Sequence, residues 1–189
     1  MNEHNEYHAR LNIHVSDEQI KRALDYHNND LNDLKINDIE SYNKLLHTTY
    51  LKGIDFLNYP RSILDDSLIR FLDDGIANYV GICRILPNYF ISWHTHKSNN
   101  TANINIPLQD PSDSLTLFSE ASNLNEANQC RTISKVDYHL NGATLLNVKK
   151  FHAVCNMSDT VRYMLLISVH EPFTYEDALA YCKKNNLLF

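Results

Sequence analysis

Two histidines separated by one residue, His94-Thr95-His96, close a run of β-type sequence. Residues two apart on a strand project to the same face, so both imidazoles can enter one cavity and offer adjacent ligand positions to one ion. A third candidate, His152, follows the β-type run Ala143 to Val148 after a short basic interruption, Lys149-Lys150. Antiparallel pairing can return it beside the first two. Three imidazoles suit a first-row metal and leave coordination positions open, as a catalytic site requires.

Arg162 comes ten residues after His152 and shares a strand face with Met164, Leu166 and Ser168. A guanidinium on an inward, largely apolar face demands an anionic partner, and a ligand carboxylate held bidentately answers that demand. Asn103 and Asn105 share a face opposite Ile104 and Ile106, which marks them as candidates to line the same cavity. The other seven of the ten histidines read as ordinary core or surface residues. Gly53, Gly75, Gly81 and Gly142 are the only glycines, which excludes a glycine-rich nucleotide loop, and no serine or cysteine triad assembles by local spacing.

The pattern His94-x-His96, then nine residues to Asn105-Ile-Pro-Leu, Leu145-Leu-Asn-Val, His152-Ala-Val-x-Asn156 and Arg162 resembles the 2-oxoglutarate/Fe(II)-dependent oxygenases, especially the aspartyl/asparaginyl hydroxylase-like and phage-type members. The resemblance covers Tyr79 to Val169. It implies a double-stranded β-helix holding Fe(II) at His94, His96 and His152. It implies 2-oxoglutarate as cosubstrate on Arg162, with Asn105 contacting substrate or cosubstrate, and O2-dependent oxidation of a C–H bond. His96 stands where the family usually has an acidic ligand, which makes the ligand set neutral. A second resemblance is to cupins, which use His-x-His and a later His-x-x-x-Asn, matched by His152 and Asn156. It implies a three-histidine dioxygenase without cosubstrate; the cupin glycines and glutamate are missing. A catalytically idle jelly-roll binding module is the reading from a different class.

An all-β core of jelly-roll type, cupin-like, is expected with flanking N- and C-terminal helices. Seven β-type runs carry it: Tyr79 to Leu86, Tyr89 to His96, Ala102 to Leu108, Leu115 to Ser119, Ile133 to Leu140, Ala143 to Val148 and Val161 to Val169. Pro87-Asn88, Ser98-Asn99-Asn100 and Asn141-Gly142 are the turn signals, the last a strong two-residue hairpin signal. Glu120 to Thr132 is a long polar loop. Ser16-Asp-Glu-Gln19 has the form of a capping box opening a helix from about Asp17 to His27, with polar chain from Asn28 to Glu40 beyond it. Ile63, Leu64, Leu68, Phe71 and Leu72 form the stripe of a second helix ending near Gly75. Thr174-Tyr-Glu-Asp177 opens a C-terminal helix to about Lys184, a lid on the outer face of a sheet.

With 189 residues the chain reads as a single domain over 1–189: a mainly helical support region 1–78, a jelly-roll core 79–170 and a C-terminal helix 171–189. A formal charge of -6 argues against nucleic acid or anionic membrane as partner, because phosphate repels it. A small-molecule, amino-acid or peptide substrate is expected instead. The N-terminus has no apolar leader and the four cysteines form no CxxC pair, so a cytoplasmic protein with reduced thiols is expected. Oligomeric state is open.

Overall fold

A computed structural model of the chain describes residues 5–40, 54–58, 60–96, 99–129 and 133–189. The architecture is a jelly roll. A six-stranded sheet has the order β1 (His8–His14), β8 (Gly142–Leu146), β5 (Asn100–Pro107), β10 (Arg162–His170), β3 (Tyr79–Ile85), β2 (Ile54–Asn58). A four-stranded sheet has the order β4 (Tyr89–His94), β9 (His152–Asn156), β6 (Ser114–Ser119), β7 (Ile133–Lys135). From β3 to β10 the chain changes sheet at every connection except β6 to β7, and every pairing is antiparallel.

This alternation corrects the reading of the turn signals. Asn88 and Asn141 do adopt left-handed φ of 52° and 64°, as such turns require. They join strands of different sheets and form no hairpin, since β8 pairs with β1 and β5 while β7 pairs with β6. Turn chemistry sets a local reversal. Which strand is met afterwards is decided by where the apolar faces pack.

The outer face of the large sheet is covered by helices. Ile104, Ile106, Leu165 and Ile167 are fully buried against Leu68 and Phe71 of α2 (Asp66–Asp73) and Ala178 and Cys182 of α3 (Tyr175–Lys184). Each such aliphatic side chain contributes about 1.5–3 kcal/mol by leaving water. The C-terminal helix matches its expected place. Thr174 Oγ1 caps Asp177 N at 3.1 Å while the Asp177 carboxylate accepts from Thr174 N at 2.9 Å.

Three expectations about elements need correction. The first helix, α1 (Asp17–Asn37), runs ten residues past His27. The polar stretch has no proline or glycine to stop it, and pairs such as Asn37 Nδ2 to Asp33 Oδ1, 2.6 Å, offset the modest cost of Asn and Asp in a helix. At its start Ser16 Oγ accepts from Gln19 N at 3.0 Å, but Gln19 turns its amide to Ile63 O, so the capping box is half made. The second helix begins later than its apolar stripe, after a 3-10 turn at Arg61–Ile63. Finally, the run Ile133 to Leu140 is a strand only to Lys135, and β1, β2 and β9 are additional strands. No helix among the described residues is long and apolar enough to cross a membrane.

Candidate metal centre

The space between the two sheets is a cavity of about 80 Å³, lined by His94, His96, His152 and Arg162 and, among apolar groups, by Ile91, Val154 and Met164. A single water needs about 10–15 Å³ on this scale, so there is room for a compact ligand of a few carbons.

His94 and His152 are brought together by the ladder between β4 and β9. Ile91 opposes Val154, and His94 opposes His152, so three steps on β4 match two on β9. The extra residue is a bulge. Without it the parity that turns Ile91 inward would have carried Trp93 into the cavity. With it, Trp93 packs outward with Ala127 and Ala153, and His94 faces in. His96 lies just beyond the strand end, where its backbone N–H donates to Val148 O at 3.0 Å and ties β4 to the end of β8.

The three rings converge as their spacing predicts. Centroids are 4.2 Å apart for His94 and His152, 5.2 Å for His96 and His152, and 5.6 Å for His94 and His96. One nitrogen of each lies within 4.8 Å of those of the other two, and among the described residues no carboxylate or thiolate joins the cluster. His94 Nδ1 donates to Ser92 O at 2.8 Å and His152 Nδ1 to Lys150 O at 2.9 Å. A ring that donates through Nδ1 leaves the Nε2 lone pair bare, which is the tautomer a metal ligand needs. Burial pushes all three imidazoles toward the neutral form, His96 to about 4 and His152 to about 3, with neighbouring rings adding to it at His96 and His152 and Lys149 at His96. The donor set therefore suits a divalent first-row ion with affinity for imidazole.

Arg162 lines the same cavity from the first residue of β10 and is 4% exposed. Its guanidinium lies 5.3 Å from the centroid of the Tyr138 ring, and its Nε and Nη1 are buried with no hydrogen-bond partner. A cation–π contact offsets a small part of the cost of burying a guanidinium. The remainder calls for an anion in the cavity. Asn105, on β5 opposite Leu166 of β10, donates through Nδ2 to Tyr138 Oη at 3.3 Å, and its Oδ1 is likewise buried without a partner. Thr116 Oγ1 completes this polar corner, 3.1 Å from Tyr138 Oη.

Sequence reasoning missed Thr116 and Tyr138. Thr116 carried a signal: in Ser114-Leu-Thr-Leu-Phe118 the polar Ser114 and Thr116 alternate with leucines and share the buried face with Phe118, the pattern of a strand facing a partly polar interior. Tyr138 carried none, because it lies past the end of β7, where strand parity does not apply. Asn156, the residue behind the cupin resemblance, is 0% exposed and far from ligand duty. Its Nδ2 donates to Ile85 O, Leu86 O and Thr160 O at 3.2, 3.0 and 2.8 Å, and its Oδ1 accepts from Ser158. It locks the β3–β4 and β9–β10 connections together.

No protein-family model matches the chain, and no curated protein matches it. Solved structures do. AviO1 from Streptomyces viridochromogenes superimposes with a TM-score of 0.60 at 12% identity over 89% of this chain and 91% of that one. A prolyl-4-hydroxylase from Pseudomonas putida gives 0.54 at 11% identity, covering 88% and 93%. ThoJ, a non-heme monooxygenase solved as a nickel complex, gives 0.55 at 10% identity, covering 86% and 73%. At such identities the likeness is one of fold, and the fold is the double-stranded β-helix.

Proposed function

We propose that the chain is a non-haem iron oxygenase that couples oxidative decarboxylation of 2-oxoglutarate to hydroxylation, or a related C–H oxidation, of a small molecule, amino acid or peptide. His94, His96 and His152 hold Fe(II), and Arg162 pairs with a carboxylate of 2-oxoglutarate. The observation that carries the reading is a buried guanidinium with unmet donors lining the same cavity as three convergent imidazoles. A dicarboxylate answers both features, one carboxylate pairing with the guanidinium and the other lying by the metal.

When bound, iron and 2-oxoglutarate supply the oxidant: O2 is reduced as the cosubstrate is split to succinate and CO2, and one oxygen atom passes to the organic substrate. The protein's share is positioning and exclusion of water. Arg162 orients the dicarboxylate lengthwise. Asn105, Tyr138 and Thr116 hold the polar corner beside it. Ile91, Val154 and Met164 keep the intervening space dry, which strengthens each charge contact within it.

The test is calorimetric titration of the anaerobic, Fe(II)-loaded protein with 2-oxoglutarate. Saturable binding is expected, lost in Arg162→Ala, with succinate formed on admitting O2. A cupin-type three-histidine dioxygenase would bind the metal and ignore 2-oxoglutarate, and that result would sink the proposal. An idle module would bind 2-oxoglutarate and form no succinate.

A further inference from the structure

The three imidazoles differ in what holds Nδ1. For His94 and His152 the partner is a carbonyl oxygen, which only accepts. For His96 the partner is the side-chain nitrogen of Asn100, 3.1 Å away, and an amide nitrogen only donates. His96 therefore accepts at Nδ1 and carries its proton on Nε2, where a metal would need a lone pair. The same Asn100 nitrogen donates to Asn103 Oδ1 at 2.9 Å, and Asn103 Oδ1 also accepts from Ser168 Oγ at 2.9 Å. Asn103 and Ser168 are register partners on β5 and β10, 6% and 5% exposed. A chain of three hydrogen bonds thus runs from the barrel wall to the third ring.

We propose that Asn100 is the positioning residue of this centre, and that the sense of its amide decides whether His96 serves as a ligand. The inference rests on the reading of the three histidines as metal ligands. With the nitrogen of Asn100 toward the ring, His96 withholds Nε2. With the oxygen toward it, His96 donates through Nδ1 and presents Nε2, as its two neighbours do. The reversal can pass along the whole chain. Asn103 turns its own amide to donate to Asn100 Oδ1, and the Ser168 hydroxyl, able to donate or accept, absorbs the change at the far end. His94 and His152 form a standing pair of ligands, and His96 is a third that joins when the amides turn.

Two carboxylates of equal charge separate this idea from simple electrostatics. Asn100→Asp presents only acceptors to His96 and holds it in the ligating tautomer. Asn103→Asp presents only acceptors to Asn100 and holds its nitrogen toward His96, in the withholding sense. Co(II) titration of the full-length proteins, followed by visible absorption, is the measurement. Groups that orient a ligand change metal affinity by on the order of 10–100-fold. Asn100→Asp is expected to tighten Co(II) binding by about tenfold and keep the wild-type spectrum. Asn103→Asp is expected to weaken it by a similar factor and to give the spectrum of His96→Ala. Should Asn103→Asp not fold, Asn100→Leu carries the comparison: it removes the orienting group, and is expected to weaken binding likewise and to be rescued by Asp. If both carboxylates shift affinity the same way, or Asn100→Leu matches wild type, the positioning role is wrong while the metal centre stands. If wild type binds no Co(II), the metal reading fails and takes this inference with it.

Discussion

His94 and His152 are register partners across the β4–β9 ladder, with ring centroids 4.2 Å apart and each Nδ1 bonded to the carbonyl two residues upstream. Both rings of that pair are held in the tautomer that leaves Nε2 free for an ion. His96 and Arg162 differ from that pair, the one facing an amide nitrogen and the other left with unmet donors.

Replacing His96 by Asp turns a neutral ligand set into one with a carboxylate. Divalent metal should bind more tightly by roughly tenfold, about 1.4 kcal/mol, and added azide should bind the metal more weakly, because the ion keeps less of its charge. Both shifts are read from Co(II) spectra. Unchanged azide affinity would place His96 outside the coordination sphere.

Arg162→Met should leave the ligand-free protein as stable as wild type, or more so. The lost cation–π contact with Tyr138 is worth about 0.5–2 kcal/mol, whereas replacing a buried charge by an apolar side chain is often favourable by about 1–4 kcal/mol. Wild type should gain about 2.7 kcal/mol at 2-oxoglutarate 100 times its dissociation constant, and the variant nothing. Thermal melts with and without the dicarboxylate decide it. A large loss of stability in the ligand-free variant would mean that Arg162 is structural.

Asn156→Ala should destabilise by roughly 2–5 kcal/mol, since it strands three main-chain carbonyls that share one amide. Metal stoichiometry should stay at one per chain. Denaturant unfolding together with metal analysis tests both halves. Loss of the metal from a protein that remains folded would restore the cupin-like role for this residue.

Acid should destabilise the metal-free protein between pH 6.5 and about 3, most steeply above about 4. Burial lowers His27 and His96 to about 4 and His152 to about 3, against 6.5 in the unfolded chain. As pH falls through that window the unfolded state takes up protons that the folded state refuses, so stability present above 6.5 drains away. Each such histidine adds at most about 1.4 kcal/mol per pH unit. His27, fully buried on α1 with its ring edge-on to Tyr163 and the two centroids 5.3 Å apart, is outside the three-histidine cluster. His27→Leu should flatten the slope of unfolding free energy against pH by up to that amount. An equal slope in the variant would show that His27 does not contribute.

The sequence by itself determined what depends on covalent spacing. Residues two apart share a strand face, so His94 with His96, and Arg162 with Met164, Leu166 and Ser168, were committed to common sides before any fold existed. Thr174 and Asp177, three apart, likewise capped their own helix. Tertiary structure decided everything that depends on which strand lies next to which. The bulge that sends Trp93 out and His94 in is set by the β9 partner, and alternation along β4 alone would have chosen the tryptophan. The strand carrying His152, the Tyr138 ring under Arg162, and the Ser168–Asn103 bond that anchors the line to His96 join residues distant in the chain. A spacing rule reaches a few residues along one backbone. Contacts across two packed sheets follow from burying both apolar faces at once, and no local pattern records that choice.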